Sequence, residues 1–213
     1  MKKIPIKSLN ISHKELHLSK GFTIRKLEDL FKGEDMKYKH HRHDFYFMLI
    51  LEKAYGNHEI DFINHKISDS SFFIVKPGQV HQLELRKDST WFIIQFNSEF
   101  YHPNEKKTNT LLQKVSAKNF YQLNQDCFSK LNVLLISSFK EYQNKPEQYI
   151  EVIKSNLKIL FIQLIRLKSA TEQNQNNQDL YIQERLEEFL KLLETNISTH
   201  KQVSQYTEML HLS

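Results

Sequence analysis

Three histidines carry the side chains in this sequence best suited to chemistry: His41 and His43 in His41-Arg42-His43-Asp44-Phe45-Tyr46, and His81 after the turn Pro77-Gly78-Gln79-Val80. Imidazole can accept or donate a hydrogen bond, change charge near neutral pH and ligate a transition metal. On an extended strand, residues two apart share a face, so His41 and His43 look the same way and Phe45 and Phe47 continue the row. Pro77-Gly78 suits a turn, since proline presets φ and glycine tolerates positive φ. His81 then opens an alternating strand with Leu83 and Leu85 on its own face. A sheet that rolls up brings the three histidines to one mouth. An apolar lining with a few polar groups is the usual make-up of a small-molecule site. The candidate ligand-binding residues are His41, His43, Phe45, Tyr46, Phe47, His81, Leu83 and Trp91. The expectation is an organic ligand and no cofactor; if a metal binds, His41, His43 and His81 are its ligands.

Nothing in the spacing marks a catalytic residue. Glu52, Glu59, Asp61 and Glu84 are available carboxylates, yet none is paired with a nucleophile, and each reads as a solvated strand residue. With only 4 glycines, the chain has no phosphate cradle or dinucleotide fingerprint.

The elements that position the histidines are short strands. From Gly21 to about residue 100, alternating or continuous apolar runs are separated by turn signals at Tyr55-Gly56-Asn57, Asn64-His65, Asp69-Ser70 and Lys87-Asp88-Ser89. Six to eight strands at this spacing predict a small antiparallel barrel or sandwich. The period then changes. Phe128, Leu131, Leu135, Phe139 and Tyr142 form one helical stripe. A second helix runs from Glu147 to about Lys168, with Pro146 at its start. Within it, Leu157, Leu160, Phe161, Leu164 and Ile165, with their apolar neighbours, cover most of the circumference. Such a helix is either central in a core or shared with another subunit. For so small a domain the expectation is a dimer interface made by these five residues. The stretch 169–178 is almost wholly polar and reads as a linker. A helix over Leu180 to about Asn196 and a shorter one over Val203 to Leu210 follow.

Lys and Arg outnumber Asp and Glu by 30 to 25 over 213 residues. That excess is compatible with nucleic acid without requiring it. The lone Cys127 cannot form an internal disulfide, and no apolar run reaches membrane-spanning length. A soluble, cytoplasmic protein with no membrane partner is expected.

Taken in order, His41-Arg42-His43-Asp44-Phe45-Tyr46, Pro77-Gly78-Gln79-Val80-His81, the helical segment and the terminal run from Val203 to Ser213 resemble the AraC/XylS family of bacterial transcription regulators. The resemblance implies an α+β chain. Residues 1–105 would be a cupin-like antiparallel β-barrel with an N-terminal arm, 106–170 a helical dimerisation segment, 171–179 a linker, and 180–213 the start of an incomplete helix-turn-helix domain. It implies a small-molecule effector, a homodimer, and promoter DNA bound by the intact protein but not by this stretch, because bases are read by the helix after the turn. Cupin enzymes hold a divalent metal with a His-x-His pair, a glutamate four residues on and a later histidine. Here Phe47 stands in the glutamate's place. A metal-dependent cupin enzyme of dioxygenase or isomerase type is the alternative.

Overall fold

The computed structural model describes residues 4–7, 21–31, 33–101, 106–172, 188–189, 192–193 and 195–210. In chain order these form β1 (Ile6–Lys7), β2 (Phe22–Lys26), β3 (Met36–His43), β4 (Tyr46–Leu51), β5 (Gly56–Ile60), β6 (Ile63–Ile67), β7 (Ser71–Val75), β8 (Val80–Leu85) and β9 (Trp91–Phe96). There follow α1 (Lys106–Ser116), β10 (Phe120–Gln122), α2 (Gln125–Asn144), α3 (Tyr149–Glu172) and α4 (Val203–Met209). The strands make two five-stranded sheets, ordered β1-β3-β8-β5-β6 and β10-β7-β4-β9-β2. The protein is therefore α+β, and its strands form a two-sheet sandwich rather than one closed barrel.

The stretch from His41 to Leu51 is two strands in different sheets. The chain bends at Asp44-Phe45, so β3 ends one sheet's contribution with His43 and β4 begins the other's at Tyr46. The row of side chains nevertheless continues across the corner. Phe45 and Phe47 lie in the core between the sheets with Leu49, Leu51, Phe73, Val75, Leu83 and Leu85.

The run Phe47 to Leu51 is wholly apolar because β4 is covered on both faces. Its odd residues face the sandwich interior, while Met48 and Ile50 join a second core with Phe72, Ile74, Phe92, Ile94 and the helices. Full burial of such side chains stabilises by about 1.5–3 kcal/mol each. Helix α2 begins where the Asn124 side chain accepts from the Cys127 backbone N–H at 2.8 Å. It ends where Lys145 adopts left-handed φ (48°) and its N–H reaches the Glu141 carbonyl, so both ends satisfy groups that a helix leaves open.

Strand β10 falls in the stretch expected to be helical. Three residues are too few for a period to show, and β10 is specified instead by pairing antiparallel with β7, Phe120 opposite Phe73. In the expected arm, Ile6 and Lys7 pair parallel with Arg42 and His43.

Leu157, Leu160, Phe161 and Leu164 sit at 0–1% exposure in the helix-side core, with Ile165 packed against it. The burial of Leu157, Leu160, Phe161 and Leu164 is supplied within the chain itself, whereas Ile165 is only half-buried. The outward side of α2 and α3 carries Val133, Ile136, Val152 and Ile159, all exposed.

The chain divides into two compact units at residues 168 and 169. In the second, the Tyr206 hydroxyl donates to the His200 carbonyl at 2.7 Å and the Tyr206 ring meets Phe189 edge-on. The expected linker from residue 173 onward and most of the Leu180–Asn196 helix lie outside the described residues. Among the described residues, no helix is long and apolar enough to cross a membrane.

Candidate functional site

Strand register builds the site. In the β3–β8 pair, His41 stands directly opposite His81, with ring centroids 4.3 Å apart. His43, two residues on, stays on that face because of the pleat. Its ring lies 4.7 Å from both His41 and His81. The turn that delivers His81 forms as Pro77 and Gly78 require: Gly78 has φ 85°, the Gln79 N–H bonds the Lys76 carbonyl, and the Gly78 N–H donates to the His43 carbonyl at 2.8 Å. Positive φ at the third residue with proline at the second is the type II pattern.

A fourth histidine joins from β5. His58 is fully buried and its Nε2 lies 3.0 Å from His81 Nδ1. Its ring also meets Phe73 at 4.9 Å. His58 was not among the residues singled out from sequence. The signal was present in His58-Glu59-Ile60: a histidine two residues from an isoleucine shares its inward face, and Ile60 belongs to the inter-sheet core.

The walls are apolar. Phe45 lies 4.3 Å and Phe47 5.6 Å from the His43 ring, Phe47 lies 5.4 Å from His81, and Leu83 belongs to the same core. Tyr46 and Trp91 are placed elsewhere, against the helix-side core. Tyr46 has the parity of Met48, opposite to Phe47, and stacks on Phe96 at 5.1 Å. Trp91 has φ 123°, which turns its side chain out of the strand alternation toward Phe92 and Phe128.

The polar accounting is unusual. His41 Nδ1–H donates to the Lys39 carbonyl at 2.7 Å; a carbonyl only accepts, so neutral His41 keeps its lone pair on Nε2. Four other ring nitrogens, His43 Nδ1 and Nε2, His58 Nδ1 and His81 Nε2, are buried without a hydrogen-bond partner. An unsatisfied buried donor or acceptor costs about 1–3 kcal/mol. Burial holds the rings neutral: desolvation, then neighbouring histidines, push His43 down to about 4 and His58 down to about 3. The same causes push His81 far below the usual range, and desolvation chiefly lowers His41. The Asp44 charge opposes the shift at His43, and the Lys7 charge adds to it.

One ligand atom from each of His41, His43 and His81 can be chosen so that all lie within 4.8 Å of one another. A tetrahedral ion about 2.0–2.1 Å from each nitrogen would hold them about 3.4 Å apart. The donor set fits a metal that accepts neutral imidazole, and His43 and His81 each keep at least one buried nitrogen without a hydrogen-bond partner.

A two-sheet sandwich with a helical layer behind one sheet and histidines gathered from three strands of the other defines the class of this domain. No family model matches the sequence, and no curated protein is significantly similar to it. Among solved structures, the AraC-like transcriptional activator CuxR is similar over 80% of this chain at 14% identity and TM-score 0.42. ToxT from Vibrio cholerae is similar over 91% of this chain and 71% of its own at 13% identity and TM-score 0.42. A cupin protein from Bacteroides fragilis is similar over 51% of this chain and 92% of its own, at 18% identity and TM-score 0.32. The chain spans 58% of the length of the CuxR structure. Likenesses of this size assign no activity.

Proposed function

We propose that the sandwich is the effector-binding part of a ligand-responsive transcription regulator, and that its small ligand binds at the histidine end. The observation that carries this is the convergence of four buried histidines, with unpartnered ring nitrogens, inside a core otherwise made of Phe, Leu, Ile, Val and Met36. Polar groups left open in an apolar interior raise the folding cost unless something binds them. Among the described residues no nucleophile is paired with a base beside them, and we read the site as a receptor.

In this reading the protein works in the cytoplasm as a homodimer, and the intact regulator binds promoter DNA. The second copy pairs across the outward side of α2 and α3. The Asn156 amide donates to Ser137 and Ser138, which ties α2 to α3, and both helices carry exposed apolar residues.

The test is a thermal-shift screen against small metabolites, with binding of each hit measured by calorimetry. A ligand at a hundred times its Kd adds about 2.7 kcal/mol to folding stability. The expected result is a hit whose affinity falls at least tenfold in the His43→Ala/His81→Ala protein. Unchanged affinity in that variant removes the histidine end as the receptor.

A further inference from the structure

We propose that His58 is a positioning residue for a transition-metal ion held by His41, His43 and His81, and that this ion is the ligand, or part of the ligand, of the proposed receptor. The inference rests on the receptor reading of the same site. It goes further by naming the ligand class and by giving a role to a residue outside the three-histidine set.

The tautomers carry the argument. A neutral imidazole has one N–H and one lone pair. In the His58–His81 hydrogen bond, one ring donates and the other accepts. If His58 Nε2–H donates, His81 Nδ1 accepts and its proton sits on Nε2, a buried donor with no partner. If His81 Nδ1–H donates, His58 Nε2 accepts and the buried His81 Nε2 carries a free lone pair, on a ring that lies 4.3 Å from His41 and 4.7 Å from His43. Both arrangements leave one buried donor open, so hydrogen bonding alone hardly separates them. A metal ion separates them completely, because only the second offers it a ligand atom.

His58 then does for His81 what the Lys39 carbonyl does for His41: each accepts the ring proton that must be kept off the ligating nitrogen. Ligating histidines generally hold such a partner, and its loss typically costs 10–100-fold in metal affinity. The position expected for a carboxylate ligand is Phe47, whose ring lies against His43 and His81. Three neutral imidazoles with no carboxylate suit zinc, copper, nickel or ferrous iron and discriminate against magnesium and calcium, which prefer oxygen. The fourth coordination position is left for water or an anionic ligand.

The experiment uses the full chain, purified without an affinity tag, stripped with a chelator and titrated with Zn2+ in a competition assay. Co2+ serves as the spectroscopic probe. Expected for the unsubstituted protein are one equivalent of Zn2+ per chain and a visible Co2+ spectrum of a nitrogen-ligated, four- or five-coordinate ion. His43→Ala and His81→Ala should each lower affinity at least 100-fold. His58→Leu should keep the stoichiometry but lower affinity 10–100-fold, and His58→Gln, whose amide oxygen can accept from His81 Nδ1–H, should restore most of it. His40→Ala, which removes the half-buried partner of Glu59, should change nothing.

Less than about 0.2 equivalents bound by the unsubstituted protein overturns the proposal without recourse to any variant. So does affinity unchanged in His81→Ala, which would place the ion elsewhere. Equal affinity in His58→Leu and His58→Gln overturns the role of His58. If Zn2+ fails while a metabolite still stabilises the unsubstituted protein but not His81→Ala, the receptor stands and the metal alone is lost. If both fail, the receptor reading goes with it.

Discussion

Folding should become steeply acid-sensitive in the metal-free protein, and the buried histidines set the slope. In the folded state His43 titrates near 4, His58 near 3 and His81 lower still; in an unfolded chain each titrates near 6.5. The unfolded state therefore binds more protons between these values. Stability is fully present above about pH 6.5 and is lost as pH falls toward the folded values. Between pH 7 and pH 5 each ring contributes a loss of about 2 kcal/mol, and the three together about 6 kcal/mol, which is comparable with the whole stability of an ordinary domain. The local slope between pH 6 and pH 5 is about 3.5 kcal/mol per pH unit, or roughly 1.2 for each ring. His41 adds to it in the same direction.

Denaturant unfolding in the presence of a chelator, followed by the fluorescence of the single tryptophan, gives this slope directly. Trp91 packs on Phe92 and Phe128 and so reports on the first unit. His58→Leu should be less stable at pH 7, because His81 Nδ1 loses its partner, yet its slope should be shallower by about one third. A slope of about 1 kcal/mol per unit or less in the unsubstituted protein means that at most one of the three rings stays unprotonated on folding. That result would refute the burial argument.

Other substitutions test how the site is held. Gly56→Ala should destabilise by more than about 2 kcal/mol in urea unfolding, because a Cβ there would meet the Glu84 carbonyl oxygen at 2.0 Å, a clash that backbone cannot relieve cheaply. Leu164→Ala should cost about 2–5 kcal/mol by the same measurement, whereas Ile159→Ser, at 44% exposure, should cost less than about 1 kcal/mol. If the outward face of α2 and α3 joins two copies, Val133→Glu/Ile159→Glu should convert dimer to monomer in sedimentation while leaving the Tm of the monomer nearly unchanged. Asn119→Ala removes amide donations to the Ile74 carbonyl at 2.8 Å and to Gln79 at 2.9 Å. It should cost about 1–3 kcal/mol, and amide exchange should speed up in β10 as well as in the Pro77–Gly78 turn.

The parts of the fold that could be read from sequence are those where polar and apolar residues alternate. His41 and His43 declared a face because Arg42 between them is polar and exposed, and Pro77-Gly78 declared a turn because few other pairs fit its dihedral angles. Parity carries no information where every residue is apolar. Tyr46 could therefore not be told from Phe47 until the helical layer was seen to cover the other side of β4. The crowding of α3 has a related cause. Ile153, Leu157, Leu160, Phe161 and Leu164 are buried within the chain, while Val152 and Ile159 remain outside. Apolar composition recorded the presence of two environments without saying which residue met which. His58 was missed for a different reason: its significance lies in β5–β8 register, which sets His58 opposite Leu83 and Ile60 opposite His81, and register is a property of the pair of strands.

A receptor that regulates must make its ligand site sense the arrangement of distant elements, which requires the ligand to favour one arrangement over another. The contacts around the Pro77–Gly78 turn supply a physical link of that kind. The Gly78 N–H is bonded to the His43 carbonyl, so any shift of β3 at the histidines moves the turn. Gln79 passes the motion on in two directions: its amide donates to Asp61 at 2.7 Å, at the tip of the β5–β6 hairpin, and its carbonyl oxygen accepts from Asn119. Asn119 is the residue before β10, and β10 leads within three residues to the cap of α2 at Asn124. Beside its β10–β7 pairing, the segment joining the two sheets to the helices is thus pinned in part by one side chain, Gln79, whose neighbour in sequence is bonded to a histidine strand. Drawing His41, His43 and His81 together around a ligand would pull on this pin before it disturbed the apolar core, because side-chain hydrogen bonds at a partly buried turn yield at lower cost than packed interiors do.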